Sequence, residues 1–498
     1  MIDIKTRLRD FFSVEMKVGF LVDDVEKESD FEINTWIFIP NSIDINASTY
    51  SKVQFYSDVK SKVRFITPVY LLSELVDRGA VPYNNLRAAM LELFKGQDAD
   101  KKEKALYEYE FQLKMFMAIF RSAMRNCIHS IKVSKVDDLP ELVKQYINDL
   151  TTIRNKFREL RNIIQYRQEG DEVYNYFNFS DEYLAYATLN HTFGLLSFLE
   201  KQNISSYDVL STELKKLILD EKVYMNEHNY VDLNQNETIG NQHVAYRHVM
   251  LNKYIESDLA LKSTKKRDGD GVLVQQIYYS LAAGLSMIFA TIIAFSFQQR
   301  YGNFTMPLFV ALVISYMLKD RIKELMRFYF AGKIGGKYFD HKTDISIKDQ
   351  KIGWIKESID FITDDKVPDE VLTMRNRSAL LEVENKIHNE KIILYRKKVR
   401  LENTKAMKES TYSFEGINDI LRFNLTRITQ RMDNPLVPAY VLSENTLDGK
   451  PIEIFVDKVY YLNFILQIKY KNNLEYKRFR LVCQRSGIQK IEELPIDE

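Results

Sequence analysis

The chain has 498 residues, enough for about three domains of ordinary size. Its 70 Lys and Arg against 69 Asp and Glu exclude a global charge bias toward nucleic acid or anionic lipid, so any such partner must be met by a local patch. Its two cysteines, Cys127 and Cys483, exclude a disulfide framework and a four-thiolate zinc site, and they suit a reducing compartment.

The first residues, MIDIKTRLRDFF, hold no long apolar core and no small-residue cleavage site, so no secretory signal is expected. Residues 1–80 read as a small α/β or β-rich domain. EINTWIFIP (32–40) and SKVRFITPVYLL (61–72) are dense in Ile, Val, Phe and Trp, and Pro40 ends the first run.

Residues 81–262 read as a helical bundle. ALYEYEFQLKMFMAIFRSAM (105–124) predicts a long helix, and Lys114, Arg121 and the following Arg125 argue against a membrane span there. Leu139, Leu142, Tyr146, Leu150, Ile153, Phe157, Leu160 and Ile164 recur at spacings of three and four. They predict a heptad-like seam packed inside a bundle, with Asp138 as its N-cap. Ser180 is expected to cap a helix over 180–199, and another covers 210–224. KSTKKRDGDG then reads as a charged linker.

Two apolar runs follow. IYYSLAAGLSMIFATIIAFSF (277–297) carries no charge and is long enough to span a bilayer. FTMPLFVALVISYML (304–318) is shorter, with Pro307 in its first turn and Lys319 placed to snorkel. Gly302-Asn303, within the intervening QQRYGN, suits a reversal. Residues 272–330 are therefore expected to form a two-helix transmembrane hairpin with a cytosolic helical extension. Lys262, Lys265, Lys266 and Arg267 precede it, and Lys319, Arg321, Lys323 and Arg327 follow it, whereas the turn holds only Arg300. That bias predicts a multi-pass protein of a microbial inner membrane with both termini cytoplasmic. Ala282, Ser286, Ala290 and Ala294 form a stripe of small residues, matched by Ala311 and Ser315. The expectation is close packing within the hairpin, with association between copies as the second reading. Neither run has an ionisable residue in its interior, which argues against an ion relay.

Residues 331–390 read as a charged helical linker and 391–498 as a β-rich cytosolic domain. EKIILYRKKVRLE, IEIFVDKVYYLNFILQIKYK and LEYKRFRLVCQR alternate apolar and basic positions. YKNNLEY reads as a hairpin turning at Asn472-Asn473, and a helix over 417–432, stopped before Pro435, is expected to cover the sheet. The fold class is thus an α+β membrane protein. The hairpin lies between an N-terminal α/β plus helical cytosolic region and the C-terminal β-rich domain.

Motifs for chemistry are weak. GKIGGKYF (332–339) encloses three residues between Gly332 and Gly336 and places Tyr338 after Lys337, so it fails as a phosphate loop. His243 and His248 are five apart, with His228 further off, which does not suit a metal-binding helix face. Asp457 with Glu475-Tyr476-Lys477 is loosely similar to the magnesium site of restriction-type nucleases. The same Glu-x-Lys triplet at Glu15, Glu213 and Glu384 makes it background. Arg396, Lys397, Lys398, Lys469, Lys477, Arg478 and Arg480 are candidate lipid-facing cations, solvated sheet charges being the plainer reading. No catalytic residue, cofactor or metal site is assigned.

The functional expectation is a membrane-anchored, cytosol-facing scaffold, sensor or effector. Its partners would be the bilayer and another protein, with nucleic acid not expected. An oligomerising, membrane-perturbing effector is the second reading, and an enzyme with a dispersed site is the third.

Overall fold

The computed structural model describes residues 2–22, 27–77, 79–95, 99–164, 171–202, 207–233, 238–266, 271–303, 305–334, 339–347, 350–387, 389–402, 412, 414–443 and 449–495. The chain begins with β1 (Ile2–Asp10), β2 (Ser13–Leu21), β3 (Glu28–Ile39), α1 (Lys52–Asp58) and β4 (Val59–Phe65). Six helices follow: α2 (Val81–Glu92), α3 (Ala99–Val133), α4 (Leu139–Glu159), α5 (Glu172–Lys201), α6 (Tyr207–Glu227) and α7 (Thr238–Ile255). Then come β5 (Lys262–Lys266), α8 (Gly271–Tyr301), α9 (Met306–Ile334), β6 (His341–Ile347) and β7 (Gln350–Ile362). After α10 (Asp369–Arg375) and α11 (Ala379–Ile387) run β8 (Lys391–Glu402), β9 (Gly416–Asn424), β10 (Leu436–Leu442) and β11 (Pro451–Asp457). The last strands are β12 (Tyr460–Tyr470), β13 (Asn473–Gln484) and β14 (Gly487–Leu494).

The chain divides into two compact units. One joins Met1–Arg64 to Leu261–Glu498; the other is Phe65–Ala260. The first unit holds an eight-stranded sheet of order β14-β13-β12-β3-β8-β7-β6-β5 and a four-stranded sheet of order β1-β2-β9-β4. β3 lies between β8 and β12, antiparallel to both. The N-terminal strands and the C-terminal strands therefore do not form separate domains, as the runs at 1–80 and 391–498 had suggested.

Strand alternation decides what each face meets. Phe55 of α1 packs on Tyr395 of β8 and Phe423 of β9, with ring centroids 5.4 and 5.5 Å apart, and so ties the two sheets together. On the opposite face of the larger sheet, Trp36, Phe38, Ile392 and Ile465 pack with Val367 and Val371 beside and within α10.

Four expectations fail for identifiable reasons. Residues 341–347 and 350–362 lie in strands rather than in a helical linker. Ile355, Glu357 and Ile359 share one buried face of β7, and the interspersed charges hide the period of two. Residues 416–424 are strand rather than helix. Ile417, Asn418 and Asp419 are all buried, so alternation is lost, and pairing with β2 decides the state. Residues 262–266 form edge strand β5 against β6, not a linker; Arg267 to Asp270 lie outside the described residues. The hairpin between β12 and β13 turns at Lys471-Asn472, where Lys471 takes φ 53°, because Tyr470 pairs with Asn473.

In the helical unit, Phe116, Phe157 and Phe177 stack at 5.6 and 5.0 Å and join α3, α4 and α5. Seam residues Leu139, Tyr146, Leu150, Ile153, Phe157, Leu160 and Ile164 are buried; Val143 is buried where Leu142 had been expected. Asp138 makes no cap bond and has helical dihedrals. Ser180 lies inside α5 and donates to the Tyr176 carbonyl at 2.9 Å. The α5 cap is Asp171, which accepts from the Val173 N–H at 2.9 Å.

Helices α8 and α9 pack on each other and reverse at Gly302, whose φ of 77° is the left-handed region that glycine enters freely. Among the described residues, only α8 is long and apolar enough to cross a membrane: an 18-residue window within residues 276–301 has a mean hydropathy of 2.0. Lys319, Asp320, Arg321, Lys323 and Glu324 interrupt α9, so the expected pair of spanning helices reduces to one candidate.

Gly353 lets β7 approach β8 closely. A Cβ built there would lie 2.2 Å from the Arg400 carbonyl oxygen. Gly353→Ala is expected to lower the unfolding free energy by about 1–3 kcal/mol, read from denaturant titration. An unchanged midpoint would show that the sheet yields at this point.

Candidate functional site

Three assemblies stand out, and the first is the α8–α9 pair. Ala282, Ser286, Ala311 and Ser315 are buried, and Ala290 and Ala294 are half-buried. The Ser315 hydroxyl donates to the Ala290 carbonyl at 3.3 Å, which places the small residues of both helices at their mutual contact. Large side chains point the other way. Ile277, Leu281, Met287, Ile288, Ile292 and Phe295 of α8 are exposed, as are Phe309, Ile314, Tyr316 and Met317 of α9. Only 11% of the apolar α8 stretch is buried. A soluble core helix buries its apolar surface, and exposed apolar area on this scale requires a covering.

The second assembly is a buried charged node between the two sheets of the first unit. Lys397 of β8 pairs with Asp419 of β9, and its Nζ also lies 3.2 Å from Glu357 Oε1 of β7. The Tyr395 hydroxyl donates to Glu357, and the Ser61 hydroxyl of β4 donates to Asp419 Oδ1 at 2.5 Å. Lys397 and Asp419 are 3% and 0% exposed. Burial alone would lower the Lys397 pKa, but Asp419 and Glu357 outweigh it and push it up to about 12. The ammonium is therefore held in its charged form.

A small cleft of about 110 Å³ opens beside this node, where Val63 accepts from the Leu261 N–H at 3.1 Å and the sheets meet. Next to it, Lys52 reaches Asp340 and Asp360 at 3.0 and 3.1 Å, and Tyr56 donates to Asp340.

The third assembly lies in the helical unit. Arg154 and Arg158 of α4, with Arg161 just beyond it, face Asp181 of α5 and Glu221 of α6, both 0% exposed. Asp181 accepts from Arg158 at 3.3 Å, Arg161 at 2.7 Å, Tyr224 at 2.6 Å and Tyr230 at 3.0 Å. Glu221 pairs with Arg154 at 2.7 Å and with Arg158. The Arg158 guanidinium stacks 3.4 Å above the Tyr224 ring centre. Alongside, Arg247 forks onto both oxygens of Glu182 at 2.6 Å. Each buried charge has a partner, so the arrangement fixes the register of α4, α5 and α6. Its trace in the sequence is the spacing Arg154, Arg158, Arg161, one position after apolar seam residues Ile153, Phe157 and Leu160.

The motif candidates do not assemble. His228 stacks on Tyr224 at 4.0 Å and His248 on Tyr186 at 3.7 Å, while His243 is exposed. Among the described residues no His, Cys, Asp and Glu cluster is placed to hold a metal. Asp457 lies in the β10–β11 ribbon and Glu475 in the eight-stranded sheet. Of GKIGGKYF, Gly335 to Tyr338 lie outside the described residues. The basic residues do not form one lipid-ready face. Lys397 is buried; Arg396 binds Asp360, Arg478 the Arg375 carbonyl, Arg480 Glu492 and Lys477 the Ile4 carbonyl. Lys398 is half-buried, and of the seven only Lys469 is exposed. Burial pushes the thiols of Cys127 and Cys483 up, to about 11 and about 12, which makes both poor nucleophiles.

The sequence matches no family model, and no curated protein or solved structure shows significant similarity to it.

Asp181→Leu would leave two guanidiniums without their shared carboxylate. The expected loss is about 3–5 kcal/mol of stability, measured by chemical unfolding. A loss below about 1 kcal/mol would mean that water replaces the carboxylate and that the network carries little of the packing.

Proposed function

We propose that the chain is a membrane-anchored, cytosol-facing protein that acts through protein contacts, as a scaffold, sensor or effector. Its anchor is the α8–α9 pair, and it is a multi-pass protein of the inner membrane with both termini cytoplasmic. One observation carries the reading: small residues meet between the two helices while large apolar side chains face outward from both. In water that arrangement is costly, and in hydrocarbon it is favourable. The candidate span of α8 has 26 residues and is about 39 Å long as a helix. The hydrocarbon core is about 30 Å thick. The apolar part of α9 is shorter, and Lys319, stacked 3.9 Å from the Tyr316 ring centre, supplies an interfacial end to it.

Reporter fusions at Met1 and Glu498 should both read as cytoplasmic, as the cationic flanks require. Opposite sides for the two ends would mean that α8 alone spans, and the hairpin reading would fall.

Ala290→Leu places a branched side chain at the Ser315 contact. It is expected to cost about 1–3 kcal/mol through overpacking, with thermal stability lowered and detergent-corrected mass unchanged. A lower mass with folding intact would instead support assembly between copies through the same stripe, as in the membrane-perturbing alternative.

A further inference from the structure

The β10–β11 ribbon is a two-stranded sheet of its own. Every residue of β11 is exposed, and so is every residue of β10 except the half-buried Ala439. Residues opposite each other across an antiparallel pair share a face. Val437 lies opposite Val456, Ala439 opposite Ile454 and Val441 opposite Ile452, so one face of the ribbon carries aliphatic side chains alone. The other face carries Glu453 and Asp457, with the Tyr440 hydroxyl donating to Glu453 at 3.5 Å. A lone two-stranded ribbon is marginal in water, and an uncovered aliphatic face asks for a partner. At the root of the ribbon lies an open cleft of about 510 Å³, lined by Arg431, Asp433, Lys458 and Arg485 together with Leu436 and Val437 of β10. We propose that the ribbon lies along an anionic bilayer surface, its aliphatic face among the acyl chains and a phospholipid phosphate in the cleft at its root.

The proposal rests on the membrane anchoring argued above, which confines the chain to a bilayer surface. Charge points to the headgroup. The cleft lining brings three cations to one carboxylate. Lys458 pairs with Asp433, which also accepts from the Tyr460 hydroxyl at 2.9 Å. Arg431 is held in place by the Asp44 and Thr49 carbonyls, both at 3.1 Å. Arg485 is exposed and acts on Asp433 only through its field, so its planar guanidinium is presented to an incoming phosphate. Leu436 and Val437 join the cleft to the ribbon, so a phosphate seated there has its acyl chains beside the aliphatic face. Area points away from a protein. Strand rise and spacing give that face about 23 Å by 10 Å, about 230 Å², against about 800 Å² per partner in a stable protein interface. A bilayer needs no matched shape, and for an anchored chain a second weak contact is effectively intramolecular. Glu453 and Asp457 on the opposite face keep the ribbon flat in the interface rather than inserted tip first.

The test uses the full chain in vesicles of phosphatidylcholine alone or of equal parts phosphatidylcholine and phosphatidylglycerol. Cys127 and Cys483 are replaced by alanine. A fluorophore is then attached through Ala439→Cys on the aliphatic face, Glu453→Cys on the opposite face or Ile288→Cys in α8. Lipid spin-labelled in the acyl chain quenches a label in hydrocarbon, and iodide quenches a label in water. In the anionic vesicles the lipid should quench position 439 about twofold more strongly than position 453, and more strongly than in neutral vesicles. Arg485→Gln should bring position 439 down to its neutral-vesicle level. Iodide quenching at 439 without lipid quenching would put the ribbon in water and overturn the proposal. Shielding of 439 from both quenchers would overturn it in favour of a protein cover, such as a second copy. Equal lipid quenching at 439 in both vesicles, unchanged by Arg485→Gln, would overturn the headgroup cleft. Position 288 reads the anchor separately: lipid quenching at 288 but not at 439 overturns the ribbon proposal alone, and quenching at neither overturns the anchor with it.

Discussion

The first unit depends on the double pairing of β3. All twelve of its residues pair with β8, and the eight from Phe31 to Phe38 also pair with β12. Its partners lie more than 350 residues away in the chain. No stable sheet can close before the C-terminal strands exist, because β3 is buried on both faces and supplies the middle of the layer. Such non-local pairing is slow to form, since chain entropy is lost before contacts compensate for it. The helical unit has the opposite character. Its contacts are among neighbouring helices, and it closes within one continuous segment, Phe65–Ala260.

Two helical segments are inserted into this sheet topology. The helical unit is inserted between β4 and β5, and the Val63–Leu261 backbone bond ties the two ends of that insertion together. The α8–α9 pair is inserted between β5 and β6, which run antiparallel with Lys266 opposite Lys342. The ends of the helical pair are therefore held by adjacent strands. The cleft draws Ser263 from β5 and Thr343 from β6, the two strands that border these helices in sequence.

What was legible in the sequence follows from which physical signals are local. The helical seam from Leu139 to Ile164 and the charge-free run of α8 are one-dimensional patterns, and periodicity or length suffices to find them. β7 and β9 were hidden because buried polar groups, Glu357 and Asp419, break the alternation that marks a strand. Those residues are the candidate site, so the feature that conceals the strands is the one that matters chemically. The cleft could not be read at all: its oxygens come from α1, β4, β5, β6 and β7 and meet only after the sheets join. For the basic residues of β8 and β13 the sequence carried composition but not partners. Arg396 and Arg480 are matched by Asp360 and Glu492, whose proximity depends on register.

The two buried networks satisfy their charges with different chemistry. In the helical unit three guanidiniums face two carboxylates. The surplus cation is dispersed over aromatic faces, with Arg158 over Tyr224 and Arg161 5.2 Å from the Phe177 ring centre. Ring quadrupoles attract cations, so an excess positive charge is tolerable inside a Tyr- and Phe-rich bundle. In the sheet unit one ammonium faces two carboxylates, and aromatic faces cannot help an anion. The remedy is hydroxyl donors, which Tyr395 and Ser61 supply to Glu357 and Asp419 and which distribute the negative charge over several hydrogen bonds.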